Sequence, residues 1–432
     1  MKHPRFAEHS AHLAAIRNAI LKAADPGMAV SRHIALHDKV LRLGSHHLTL
    51  APSAGIYIVG FGKASISMCR AALEALPGEH LRRGIAAVPV STSEDPPDPL
   101  AYIPAGHPLP NEGSLRAGRA VEEMLRELQD GDLLIVLISG GGSAMLSLPR
   151  AGVSLDDLRG INDLLIRSGA PIDEINVVRR AISRLKGGGL ARLASPAQVV
   201  SLILSDVVGD DLASIASGPT VLETPSPGQA IAVLKDRGLW DAAPKGVREA
   251  LRHGHAPIAP GPPPINILVA TNRDAIEAAA RTAEAIGFPV QDLTDRMEGE
   301  ARQVGQDFGR AVRALPRPGC RIMGGETTVT VRGPGLGGRN QEFALAAAGE
   351  IAGAEGIAVM AFATDGRDGP TDAAGAIVTG DTVVAALEKG LDSGQALSEN
   401  DAYPLLAAVG CLIKSGLTGT NVNDVCVGFA YP

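Results

Sequence analysis

Apolar runs recur along the first half of the chain, each followed by residues with helical spacing. "GIYIVGFG" (55–62) reads as a buried strand that opens a helix from about Ala64. "GIAAVPV" (84–90), "DLLIVLI" (132–138) and "VVSLILSD" (199–206) read as further buried strands. Buried strands separated by helices predict a parallel sheet covered on both faces. Near the start, "SAHLAAIRNAILKAA" sets Leu13, Ile16 and Ile20 at helical spacing, which predicts an amphipathic helix docked on a core. "HGHAPIAPGPPP" (253–264) has five prolines in its last eight residues and can join neither a helix nor a central strand. It reads as a linker between domains at 1–252 and 265–432. Beyond it, "NILVATNRDAIEAAARTAEAIG" predicts a strand, a turn and an amphipathic helix. "TTVTV" (327–331) alternates as a half-exposed strand would, and "IAVMAFATDG" (357–366) reads as a buried strand ending in an acidic loop. The second domain is therefore expected to be a mixed sheet with helices, and the fold class α/β throughout.

Length supports two cores, since 432 residues exceed what one core holds. Aromatic residues make up only 3%, and the formal net charge is −7. Neither suits a nucleic-acid partner, which needs stacking platforms and a basic surface. An anionic metabolite would have to be met by local basic residues. The four cysteines, Cys69, Cys320, Cys411 and Cys426, form no CxxC and no zinc spacing, and read as buried free thiols in a reducing cytosol. The N-terminus shows no apolar signal core, and no run is long enough to span a membrane. A cytoplasmic protein, monomeric or homodimeric, is expected.

Candidate chemistry lies where strands end, because open α/β sheets bind ligands beyond the carboxyl ends of their strands. In "GFGKAS" (60–65), Gly60 and Gly62 let backbone N–H groups approach an anion at a helix start. A dinucleotide fingerprint would need a third glycine where the chain has Ser65, and an acid where it has Ser91 and Thr92. A Walker A loop fails too, for want of the first glycine. What remains is Lys63 beside a glycine turn, read either as an anion-holding cation or as a solvated lysine. The helix dipole opposes an uncompensated lysine there. In "SGGGSA" (139–144), Gly140, Gly141 and Gly142 make a nest of N–H donors between Ser139 and Ser143. The other reading of these glycines is close helix–strand packing.

"RRAISRLKGGGLA" (179–191) predicts a helix with Arg179 and Lys186 on one face, either an anion site or a solvated stripe. Asp206, in "LSDVVGDD", is a metal or hydroxyl ligand or a cap. "GGETTVTVRGPGLGGRNQEFALA" (324–346) sets Glu326 after two glycines, and Arg339 and Asn340 after two more at a helix start. An arginine there calls for an anion, and no acid at helical pairing distance obviously satisfies it. "ATDGRDGPTD" (363–372) supplies Asp365, Asp368 and Asp372, either an oxygen-ligand Mg²⁺ site or turn acids. Glycine nests, two cations and acids on two α/β domains are equipment for phosphoryl transfer, where catalysis is positioning plus charge stabilisation.

At these residues, together with "AGHPLPNEGS", "INVVRRAISRLKGGGLA", "LSDVVGDDLASIASGPT" and "LIKSGLTGTNVNDV", nearly the whole chain resembles the class II glycerate kinases, the MOFRL family. The resemblance implies two three-layer α/β/α domains: a Rossmann-like parallel sheet first, then a mixed sheet, with the active site in the cleft between. It implies ATP- and Mg²⁺-dependent phosphorylation of D-glycerate to 2-phosphoglycerate. By match to the family's motifs, Lys63 and Arg339 would be catalytic. Gly60, Gly62, Ser139, Gly140, Gly141, Gly142, Ser143, Lys186, Glu326 and Asn340 would bind nucleotide or substrate, and Asp206 and Asp365 metal. Some members carry the name hydroxypyruvate reductase, a chemistry that the broken dinucleotide fingerprint speaks against.

Overall fold

The computed structural model describes residues 4–37, 40–76, 78–223, 226–254 and 261–432. The middle of the expected linker, 255–260, lies outside them. Two compact units emerge. The N-terminal unit holds Pro26–Ser205 and Asp210–Val269, and the C-terminal unit holds Met1–Asp25, Asp206–Gly209 and Ala270–Pro432. This division departs from a single break at 253–264. The helix His9–Ala23 buries Leu13, Ile16 and Ile20, as its stripe predicts, but packs on the helix Asn272–Ala285 of the C-terminal unit. The strand expected to start the second domain instead closes the sheet of the first. An apolar stripe or strand says that it will be buried, not against which core.

In the N-terminal unit a small antiparallel sheet of β1 (Ile34–His37), β2 (Val40–Leu43) and β3 (His46–Thr49) comes first. The main sheet contains β4 (Ile56–Phe61), β5 (Leu81–Pro89), β6 (Leu100–Ala105), β7 (Leu133–Ile138), β8 (Gln198–Leu204) and β9 (Ile265–Ala270), in the order β6-β5-β4-β7-β8-β9. The pairings β4–β5, β4–β7, β5–β6 and β7–β8 are parallel. This is the Rossmann order, in which the chain builds outward from the centre to one edge and returns to build to the other. Every residue of β4 and of β7 is buried, as expected for a parallel sheet with both faces covered. The helices Leu155–Arg167, Ile172–Ala181, Pro227–Asp236 and Lys245–His253 share an apolar cluster that includes Ile161, Leu165, Val178, Leu234 and Val247. Burying each such side chain contributes roughly 1.5–3 kcal/mol.

The C-terminal unit is a mixed sheet, ordered β10-β11-β15-β12-β13-β14, from β10 (Val290–Met297), β11 (Gly319–Gly325), β12 (Ile357–Ala363), β13 (Gly375–Thr379), β14 (Leu412–Ile413) and β15 (Asp424–Ala430). Only β10–β11 is parallel among its pairings. The helix Arg339–Glu350 is buried along most of its length, packed on the helix Ala301–Arg313 through Phe308 and Phe343, whose rings lie 5.4 Å apart. The strand expected at 327–331 does not form. Thr328 makes one isolated bridge to Glu300, and the Thr330 N–H donates to the Glu300 carboxylate at 3.1 Å, so a side chain takes the place of a partner strand. Cys69, Cys320 and Cys426 are buried free thiols, and Cys411 is partly exposed. Among the described residues no helix is long and apolar enough to cross a membrane.

Candidate functional site

The strand order reverses between β4 and β7, whose last residues, Phe61 and Ile138, lie side by side in register. Both glycine loops therefore leave the sheet at its switch point. They are tied together: the Lys63 N–H donates to the Gly140 carbonyl at 2.9 Å, and the Ala64 N–H to Ser139 Oγ at 3.1 Å. Gly62 has φ +112°, and a Cβ there would meet the Ser139 carbonyl oxygen at 2.4 Å. Close packing thus accounts for this glycine. Gly60 lies inside β4, where a Cβ would strike Cys69 Sγ, and Gly142 backs onto the Phe61 ring. Ser139, 1% exposed, has its hydroxyl engaged within the loop. Close packing accounts for the residue types at Gly60, Gly142 and Ser139. Ser65 occupies the third-glycine position and donates its buried hydroxyl to the Ala87 carbonyl at 3.0 Å, tying its helix to β5. The Lys63 side chain is exposed at this carboxyl edge.

Beside the switch point lies a cavity of about 350 Å³. Gly141, Ser143, Lys186, Arg179 and His107 line it with Leu109, Leu158, Ile166 and Ile182. Arg179 and Lys186 do share a site, but not through a helix face. The helix ends at Ala181, and Ser183 bridges to Pro149 while its hydroxyl accepts the Leu185 and Lys186 N–H groups, each at 3.2 Å. That turn brings Lys186 back under Ser143, whose carbonyl accepts from Nζ at 2.6 Å. Arg179 Nε donates to Asn162 Oδ1 at 2.7 Å. Burial, with the charge of Arg179, brings the Lys186 ammonium down to about 7. Burial and then the charge of Lys63 lower His107, so its imidazole is neutral at pH 7. The Ser143 hydroxyl hydrogen-bonds Ser217 Oγ at 3.0 Å, and the buried Ser217 hydroxyl donates to Asn176 Oδ1 at 3.0 Å. Ala216 and Ser217 have φ of +50° and +63°, conformations that non-glycine residues rarely adopt and that cluster at functional sites.

The C-terminal unit gathers acids instead. β15 is antiparallel to both β11 and β12, so its first residue, Asp424, pairs with their last, Gly325 and Ala363. The loops carrying Glu326 and Asp365 therefore start on either side of Asp424. Arg339 binds Asp424 through Nε at 2.5 Å and Nη2 at 2.9 Å, and Glu326 through Nη1 at 2.7 Å. The anion that Arg339 calls for at its helix start is thus supplied by the protein itself, across 85 residues of chain. Asp368 lies at the same helix end, accepting the Asn340 and Gln341 N–H groups at 3.2 and 2.9 Å. Gly338 makes room for it, since a Cβ there would lie 2.3 Å from its carboxyl carbon. Asn340 is 1% exposed and serves this network. Glu342 turns away to Arg302 and Asn400.

Burial, then Asp424, raises Asp368 to about 6. Burial outweighs Arg339 in raising Asp424 as well. Burial and the fields of Asp424, Asp206 and Asp365 raise Glu326 against the pull of Arg339. One arginine thus faces an excess of carboxylates. Among the described residues no three His, Cys, Asp or Glu side chains are gathered as a ready-made metal cage. Asp206 and Asp365 could supply at most part of a shell, which suits Mg²⁺, an ion usually held by one or two carboxylates with waters and substrate phosphates.

His107 and Asp424 were not among the site residues expected from the sequence, whereas Asp368 was named there as one of the three acids of the loop 363–372. His107 stood in a quoted motif, and Asp424 is the lone acid heading an otherwise apolar strand, a signal that could have been used.

The sequence matches a domain of unknown function, DUF4147, over residues 12–252 and the MOFRL family over 319–424. It is 38% identical to a glycerate 2-kinase of Pyrococcus horikoshii, over 94% of each chain. It is also 38% identical to a protein of Agrobacterium vitis carrying a hydroxypyruvate reductase name, over 95% of this chain and 92% of that one. A crystal structure of a glycerate kinase from Thermotoga maritima superposes with a TM-score of 0.87 at 36% identity, covering 98% of this chain and all of the other.

Proposed function

The chain belongs to the glycerate kinase family, and on that premise we propose that it transfers a phosphoryl group from ATP to D-glycerate, giving 2-phosphoglycerate. The observation that carries the reading is Lys63, an exposed cation at the carboxyl edge of β4 where the strand order reverses. Lys63 and Arg339 are the proposed catalytic cations. Phosphoryl transfer passes through a loose transition state with charge spread over the migrating group's oxygens, so fixed cations contribute more than covalent chemistry. Arg339 keeps N–H donors beyond those given to Asp424 and Glu326, and its side chain is 31% exposed. Asp424 and Glu326 fix the orientation of its guanidinium.

Mg²⁺ would be held by Asp206 and Asp365, and the acid excess that raises Glu326 is what a divalent cation would relieve. When bound it would supply neutralisation of phosphate charge. The reductase reading is disfavoured by Ser65, whose buried hydroxyl fills the third-glycine position, and by Ser91 and Thr92 where the ribose-binding acid would stand. The test is incubation with D-glycerate and MgATP, following ADP release and reading the phosphate position by phosphorus NMR. A parallel arm uses hydroxypyruvate and NADH. ADP release with phosphate on the 2-hydroxyl is expected; NADH consumption without phosphoryl transfer would overturn the reading.

A further inference from the structure

We propose that the cavity beside the switch point of the N-terminal unit is the subsite for the nucleotide rather than for glycerate, its carbon-rich wall taking the base and Lys186 and Arg179 the phosphates. The assignment rests on the kinase reading and says which of the two substrates this cavity receives.

Buried cations are ordinarily paired with acids, because desolvating an unpaired charge is costly. Among the described residues neither Lys186, 9% exposed, nor Arg179 has a carboxylate partner. Lys186 gives one hydrogen bond to a carbonyl, and Arg179 gives one to an amide oxygen. The adjacent Arg180, by contrast, has Glu223 at 2.8 Å. Two desolvated cations on one cavity form a site for a ligand carrying more than one negative charge.

Leu158 and Ile182 line the interior, and Leu109 and Ile166 stand on the lining while 52% and 57% exposed. Glycerate carries an oxygen on every carbon and has no face that such a wall would favour. A purine has two apolar faces, and the volume of about 350 Å³ falls in the range of ligand pockets for molecules of that size. His107 is neutral on the same lining, so it can donate or accept toward the ligand without adding charge. The position of Lys63, whose charge reaches His107, sets the reacting end of the phosphate chain toward the switch point.

One consequence separates this role from mere packing. Among the described residues the other titratable groups that line the cavity with Lys186 are Arg179, from the helix Ile172–Ala181, whose charge acts on the Lys186 ammonium, and His107, from the loop after β6; neither is an acid. A bound phosphate supplies the missing negative charge, so ADP binding above neutral pH should draw a proton onto Lys186.

The experiment measures ADP and D-glycerate affinities separately by titration calorimetry, for the wild type, Lys186→Met, Arg179→Gln and Ile166→Trp. Ile166 is largely exposed, so its indole narrows the cavity without disturbing the core. Each variant should weaken ADP by about tenfold or more and leave glycerate within about twofold. At pH 8 the wild-type heat for ADP should vary with buffer ionisation enthalpy, and in Lys186→Met it should not. Lost glycerate affinity with intact ADP affinity would give the cavity to the acid. Unchanged affinities for both, with kinase turnover intact, would overturn the assignment alone. A wild type that neither binds ADP nor turns over would overturn the kinase reading with it.

Discussion

In the N-terminal unit, Lys186 and Arg179 line a cavity that, among the described residues, has no carboxylate on its lining. In the C-terminal unit, Arg339 is surrounded by Asp424, Glu326 and Asp368. Both regions look alike in the sequence, as basic residues beside glycines at a predicted helix end. Their charge balances are opposite. Arg339, which looked like the residue most in need of an anion, receives several from its own unit. Lys186, which read equally as part of an anion site or of a solvated stripe, is a buried cation without a carboxylate partner among the described residues. A basic residue at a helix start is therefore weak evidence for a ligand until its partners are known, and burial without a partner is stronger evidence. On the proposed reading the two imbalances are complementary: the unpaired cations suit phosphate, and the surplus acids suit a divalent ion.

The comparison can be broken most directly at Arg339. Were it a ligand-facing cation only, Arg339→Ala would lower turnover and leave stability alone. Because Asp424 is fully buried against it, the same change should also destabilise the fold by about 3–5 kcal/mol, read as a lowered urea midpoint. This departs from what a loop–helix junction in the sequence leads one to expect. Lys414→Ala, which removes an exposed pair with Asp372, is the control and should leave the urea midpoint essentially unchanged.

A smaller effect is expected at Gly141, which has φ +82° and where a Cβ would lie 2.6 Å from the His107 ring. Gly141→Val should cost about 1–3 kcal/mol and weaken ADP by displacing His107. Wild-type ADP affinity would leave this glycine as a packing device alone.

The acids give a pH test. Asp368 binds its proton more tightly folded than unfolded. Its contribution to stability is therefore full below the ordinary aspartate range and is lost as pH rises through about 6. Asp368→Asn should accordingly gain stability relative to wild type between pH 4 and pH 6, measured by urea unfolding. A difference that stays flat across that window would remove Asp368 from the surplus. Lys186→Met gives a second pH test. The folded state disfavours the charged amine, so wild type loses stability as pH falls from the ordinary lysine range toward about 7. The variant should melt no lower than wild type at pH 7, despite weaker ADP binding.

Much of the architecture was legible because it follows from local pattern. β4, β5, β7 and β8 are continuous apolar runs, and their order made the glycine loops neighbours at the switch point. β6 carries no such pattern, being an edge strand buried only at its two end residues and with Pro104 inside it. The pairing of β9 with the first sheet and of the N-terminal helix with the C-terminal unit were hidden, since nothing local selects between two cores. At the site, Lys63, Gly141, Ser143 and Lys186 could be singled out by residue type. The partners of Arg339 could not, because Asp424 is brought to it only by β15 running antiparallel between β11 and β12. The cavity was invisible for the same reason: it depends on the turn at Ser183 that returns Lys186 beneath Ser143.

Lys63 is an exposed side chain whose removal should leave the fold undisturbed. The measurement is kcat of Lys63→Ala at saturating D-glycerate and MgATP, alongside a melting curve. The account predicts a fall of roughly 10²-fold or more, the loss of about 2.7 kcal/mol or more of transition-state stabilisation, with melting unchanged. Near wild-type turnover at unchanged melting would contradict it.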